Sequence, residues 1–163
     1  ISTASVVRAV LYSEYRPVPK LTLALGARGQ YAWKPLLSFE EFSAGNYTVG
    51  GGFVPGALLG VGGWGTQAEI RFGSTIPSSA KNVAVEAYLF WDHARVSNLD
   101  KLVLVEGSKH LNSIGGGARM AAGRFMLDAS IAVPLTRVGI LGEKPDPRFL
   151  VSLTTRLWPW SYK

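Results

Sequence analysis

LTLALGARGQYAWK, Leu21 to Lys34, decides the fold. Its odd positions, Leu21, Leu23, Leu25, Ala27, Gly29, Tyr31 and Trp33, form a mainly apolar set; its even positions, Thr22, Ala24, Gly26, Arg28, Gln30, Ala32 and Lys34, form a small, polar or basic one. A period of two sends the sets to opposite faces of a β-strand. The run of about thirteen residues exceeds the roughly five or six of soluble sheets and reaches the roughly 9–11 of a tilted membrane-spanning strand.

The pattern recurs with ionisable groups on the second face. Val7, Ala9, Leu11 and Tyr15 oppose Arg8, Glu14 and Arg16, and Trp64, Thr66, Ala68, Ile70 and Phe72 oppose Gln67, Glu69 and Arg71. Val83 to Trp91 oppose Glu86, Tyr88 and Asp92; Ile114 to Ala122 oppose Ser113 and Arg119. Phe125 to Val133 oppose Asp128 and Ser130, and Phe149 to Leu157 oppose Ser152, Thr154 and Arg156. About seven strands are expected. Alternation alone fits both a soluble sandwich, with its apolar face on a core, and a membrane barrel, with that face on lipid and a wet lumen inside.

Connection lengths favour the barrel. Short links at Pro17 to Lys20, Gly73 to Asn82 and Gly123-Arg124 alternate with long ones at Pro35 to Gly63, Ser97 to Leu111 and Pro134 to Pro147. Transmembrane barrels have short periplasmic turns and longer extracellular loops. Trp158, Trp160 and Tyr162 then fall where the last strand leaves the bilayer, as an aromatic girdle requires.

Composition bounds the remaining choices. The 163 residues, 47% of them hydrophobic, suit one domain, and no stretch approaches the roughly 20 apolar residues of a transmembrane helix. With no cysteine, a disulfide scaffold and the commonest zinc sites are excluded. The net charge of +6 is scattered singly, so nucleic acid is not an expected partner. Seven strands are odd for a bacterial barrel and would leave open edges in lipid, so a part of a larger barrel is expected. Ile1, with neither initiator Met nor signal peptide, fits a mature or trimmed segment.

Three stretches carry a resemblance. LLSFEEFSAGNYTVGGGFVPGALLGVGGWGTQAEIRFG, Leu36 to Gly73, is similar to the region of the long inward-folded loop of two-partner-secretion transporters, the haemolysin activation/secretion (ShlB/FhaC/HecB) family. YLFWDHARV, Tyr88 to Val96, resembles that family's aromatic-x-Asp strand motif, and Ala132 to Trp160 resembles its closing hairpin and last strand. The resemblance implies an all-β, antiparallel transmembrane β-barrel, with residues 1–163 forming the C-terminal part of a sixteen-strand barrel and an inward-folding loop at about 44–63. It also implies a pore in the outer membrane of a Gram-negative bacterium that secretes a large exoprotein of haemolysin or adhesin type. Outer-membrane lipid and the barrel assembly machinery would be its other partners. No catalytic residue, cofactor or metal is implied.

In the family the loop tip reads Arg-Gly-Tyr or Arg-Gly-Phe, and its Arg lies near the strand Asp. Gly52 and Phe53 match the last two positions and Asp92 matches the acid, but Gly51 stands where the Arg would be. Asp92 is therefore expected to gain another cation, to be solvated by lumen water, or to hold the loop more loosely. Arg28, Glu69, Arg71, Glu86, Arg119 and Arg156 are expected to face the lumen, where they solvate the wall and pair across strands or line a translocation path.

Other motifs are weaker. Gly60, Gly62 and Gly65 fit G-x-G-x-x-G, but they lead into the alternating WGTQAEIRF and not into a helix. Of the two histidines, His93 falls on the lipid-facing set and His110 in a long link, which leaves a Ser/His lipid hydrolase as the enzyme alternative. A passive porin or an assembly-type barrel is the alternative within the pore class.

Overall fold

The computed structural model describes residues 5–33, 41–44, 52, 57–79, 82–97, 109–137 and 145–155. Seven long strands make one antiparallel sheet in which spatial order follows chain order: β1 (Val6–Val18), β2 (Leu21–Ala32), β5 (Gly62–Gly73), β6 (Val83–Ser97), β7 (Lys109–Ala122), β8 (Phe125–Pro134) and β9 (Arg148–Thr155). Two short strands, β3 (Phe42–Ala44) and β4 (Leu58–Gly60), pair with each other inside the longest link. Among the described residues β1 and β9 are the edges of the sheet.

The turns follow local chemistry. Ala122 pairs with Phe125 across Gly123-Arg124, and Gly123 at φ 55° supplies the positive φ that a two-residue turn needs at its first central position. At the β1–β2 turn Lys20 takes φ 71°, and its carbonyl accepts from the Gly73 N–H at 2.7 Å, which ties this turn to the end of β5.

Every face assignment that the described residues cover agrees with the sequence parity. Leu23, Leu25, Ile70, Leu89, Ile131, Phe149, Val151 and Leu153 project from one face and are exposed. Leu21 and Leu127 share that face in register. Arg28, Glu69, Arg71, Glu86, Asp92 and Arg119 lie on the other, which we term the inner face because β3 and β4 pack on it. Among the described residues no second sheet covers the leucines. Arg156, Trp158, Trp160 and Tyr162 lie outside the described residues.

Two details differ from the sequence expectation. β6 ends at Ser97, where the long link is expected to begin, but β7 starts at Lys109, so His110 is a strand residue and not a loop residue. The Pro35 to Gly63 link contains strands that three-residue segments cannot announce by periodicity. Gly60 belongs to β4 and Gly62 and Gly65 to β5, with no helix after them.

Candidate functional site

The inner face has two levels. At the end joined by short turns, Glu86, Arg119 and Asp128 are directly opposed on β6, β7 and β8. The Arg119 guanidinium donates to Glu69 (2.8 and 3.2 Å), Glu86 (3.1 Å) and Asp128 (3.1 Å), and it lies 4.0 Å from the centre of the Tyr88 ring. The Tyr88 hydroxyl donates to Asp128 at 2.6 Å. Arg71 also pairs with Glu69, and it reaches over β2 to donate to Glu14 at 2.5 Å and to the Tyr12 hydroxyl at 2.9 Å. That crossing is open because the β2 positions beneath it are Thr22 and Ala24, whose side chains are short.

Two guanidiniums thus serve four carboxylates over β1, β5, β6, β7 and β8. Each exposed pair of this kind contributes only about 0–1 kcal/mol. Sharing one planar Arg among three acids fixes all three at once, because its fork of donors cannot turn to suit one acid alone. The aromatic neighbours are fitted to bare backbone. A Cβ on Gly117 would overlap the Tyr88 hydroxyl and Ser130, and one on Gly115 would overlap the Phe90 ring. Both rings therefore lie against β7, an arrangement that strand alternation does not reveal.

At the end joined by long links the inner face is apolar and covered. Phe42, only 2% exposed, packs with Ala44, Ala94, Val96 and Leu111. Its ring sits against Gly63, where a Cβ would come within 2.6 Å of it, and the Arg28 guanidinium lies 4.9 Å from the ring centre. Arg28 thus contacts the segment inside the sheet instead of standing on a bare wall.

Asp92, 1% exposed, lies just below this patch. It accepts from the Ser113 hydroxyl at 3.3 Å, and the Ser113 oxygen accepts in turn from the Gly52 N–H at 3.3 Å. Gly52 is so close that a Cβ there would stand 2.8 Å from the Ser113 Cβ and 3.0 Å from the Pro134 nitrogen. Asp92 is therefore buried at this level of the inner face. Gly51 and Phe53, the other loop-tip positions, lie outside the described residues.

Sequence reasoning missed Ser113 as the bridge between Asp92 and the loop, Tyr88 and Asp128 as partners of Arg119, and Phe42 as the seated residue. The histidines do not share a face with Asp92 and Ser113. His93 and His110 lie on the outer face, with ring centres 6.4 Å apart, and His93 Nδ1 is 2.7 Å from Asn112 Oδ1. The Ser–Asp pair and the imidazoles therefore occupy opposite sides of one sheet, which separates the groups that a Ser/His hydrolase would need together. Among the described residues no group of three His or acidic side chains could hold a metal ion.

Comparison with known proteins found no matching family model and no matching curated protein. Among solved structures, CdiB from Acinetobacter baumannii matches with a TM-score of 0.71 and 23% sequence identity, over 95% of this chain and 28% of that one. The seven-stranded antiparallel sheet is therefore the fold of part of that barrel, and the chain spans about a quarter of the length of the protein it matches.

Proposed function

We propose that this chain is the C-terminal part of the barrel of a two-partner-secretion transporter, whose whole protein passes a large secreted exoprotein through the outer membrane of a Gram-negative bacterium. CdiB is a transporter of that kind, and part of its fold is matched here. One observation carries the reading. The same strands present leucines outward and an ion-paired face inward, and a segment of the chain lies across the inner face with Phe42 and Gly52 buried. A passive porin needs only the wall. A movable piece of chain seated on that wall suits passage on demand.

In this reading Glu69, Arg71, Glu86 and Arg119 line the path, and outer-membrane lipid meets the leucines. The assembly machinery that inserts barrels and the exoprotein are the macromolecular partners. Residues 44–63 act as the inward-folding loop.

The test uses the absence of native cysteine. In full-length protein, Gly52→Cys with Ser113→Cys places two thiols where a shift of about 1 Å gives the roughly 3.5–4.5 Å Cβ separation of a disulfide. Oxidised, the pair should stop exoprotein release, and reductant should restore it. Release that continues with the bridge formed would overturn the movable segment. The face assignment has its own check: Leu23→Arg places charge on lipid at about 2–4 kcal/mol. It should abolish the heat-modifiable gel band, whereas Ala24→Arg should retain it.

A further inference from the structure

The short-turn end of the sheet carries charge of one sign. Its links, Pro17 to Lys20, Gly73 to Asn82 and Gly123-Arg124, contain Lys20, Lys81 and Arg124 as their ionisable residues, and all are cations. Arg16 adds another just before the first turn. Arg16, Lys20 and Arg124 are exposed. The acids nearest to this end, Glu14, Glu69, Glu86 and Asp128, are ion-paired with Arg71 or Arg119. Lys20 and Arg124 take no part in those pairs, so the network absorbs its acids and leaves the turns positive.

These cations border the apolar outer face. Lys20 stands between Val18 and Leu21, which pair with each other, and Leu21 pairs in turn with Phe72. Arg124 immediately precedes Phe125. Val18, Phe72 and Phe125 are 53%, 65% and 52% exposed. In the membrane reading they are the last apolar side chains before the periplasm, so the turn cations stand at phosphate depth, each with its stem on apolar surface and its charge among headgroups. A passing polypeptide would meet the inner face, where acids and guanidiniums already pair. Lipid meets the outer face, beside these cations.

We propose that the short-turn rim binds anionic phospholipid of the periplasmic leaflet through Lys20 and Arg124. A guanidinium matches a phosphodiester with two parallel N–H donors, and an ammonium meets it as a point charge. A zwitterionic headgroup brings an ammonium of its own, which the rim repels, so selectivity for net negative lipid follows. The two turns lie four strands apart, about 19 Å at the usual strand spacing. Each cation therefore takes a separate headgroup, and the effects of removing them should add.

The inference rests on the membrane-barrel reading, and one experiment separates the two. Full-length protein is reconstituted into phosphatidylethanolamine vesicles containing a minority of phosphatidylglycerol, then extracted, and the ratio of co-purifying lipids is measured by mass spectrometry. Wild type should carry phosphatidylglycerol above its share in the vesicles, and raised salt should lower that excess. Lys20→Asn, chosen because Asn accepts the φ of 71° at this turn, and Arg124→Gln should each lower it by up to about fivefold, the effect of one basic residue at an anionic surface. The double variant should lose both contributions, whereas Arg124→Lys should keep most of its own. An excess that survives in the double variant would overturn the site. A wild type with no excess would also overturn it and would leave the rim to an acidic protein partner. The heat-modifiable gel band is read on each sample: variants that keep it are folded barrels, and a wild type that never shows it would overturn the barrel reading instead.

Discussion

The two levels of the inner face are built by opposite means. At the long-link end Phe42 fills a patch of Ala94, Val96 and Leu111 that belongs to the wall, whereas the filler belongs to the link. At the turn end every partner of Arg119 named above belongs to the seven-stranded sheet itself. Apolar burial is non-directional and is lost as a unit when the filler leaves. A fan of ion pairs across β5, β6, β7 and β8 is indifferent to the link and holds the strands whether it is seated or not. One level is a fastening and the other is a brace.

The largest effect expected from this difference is at Phe42. Phe42→Ala should cost about 3–5 kcal/mol of packing, and the loss should appear in the seating of the segment and not in the wall. Planar-bilayer recordings of full-length protein should show a raised resting conductance, with an unchanged temperature of the heat-modifiable transition. A lowered transition temperature would make Phe42 part of the brace and would erase the distinction.

Arg119→Met is the reciprocal variant, with a somewhat smaller effect. It leaves Glu69, Glu86 and Asp128 close together, with Arg71 as the remaining guanidinium of the network among the described residues. Breaking a fully buried pair costs about 3–5 kcal/mol, and partial exposure to a wet lumen should screen this to about 2 kcal/mol. The urea midpoint of the folded band should fall while the resting conductance stays near wild type. A conductance change as large as that of Phe42→Ala would show that the two levels act as one.

The brace is more legible in the sequence than the fastening, for a physical reason. A period of two can be read residue by residue, so parity alone assigns Glu69, Arg71, Glu86 and Arg119 to one face, and register then aligns Glu86, Arg119 and Asp128. What parity cannot give is diagonal reach. Arg71 meets Glu14 across a strand because residues 22 and 24 are short, and Tyr88 meets Asp128 because residue 117 has no side chain. The fastening depends on three-residue strands and on Gly52, which carry no period. Asp92 is visible by motif, but its connection to the link runs through Ser113, an ordinary position in a strand.

A smaller effect is expected at Ser113. Ser113→Ala removes the hydroxyl shared by Asp92 and the Gly52 N–H, while Phe42 stays in place. A single hydrogen bond nets about 1 kcal/mol, about fivefold in the population of the unseated segment. Resting conductance should rise by less than in Phe42→Ala, and the combined variant should exceed either alone. Full-size opening in Ser113→Ala would place the whole fastening in the Asp92 relay and leave the apolar patch incidental.

The smallest effect is also the most diagnostic, because it adds an interaction. Gly51 precedes Gly52, whose N–H lies one hydroxyl away from Asp92, and the resemblance places an Arg at this position. Gly51→Arg should let a guanidinium meet the buried carboxylate. A charge-assisted bond contributes about 1.5–3 kcal/mol, and ordering a long side chain offsets about 2 kcal/mol of that. The surplus is about 1 kcal/mol at most, so resting conductance should fall by about fivefold or less. Asp92→Ala supplies the control. If the fall disappears in Gly51→Arg with Asp92→Ala, the added cation acts through Asp92, and an ionic tether can be grafted onto a fastening that otherwise relies on Phe42 and a shared hydroxyl. A fall that persists without Asp92 would reject the pairing and show that the Arg closes the lumen by its bulk alone.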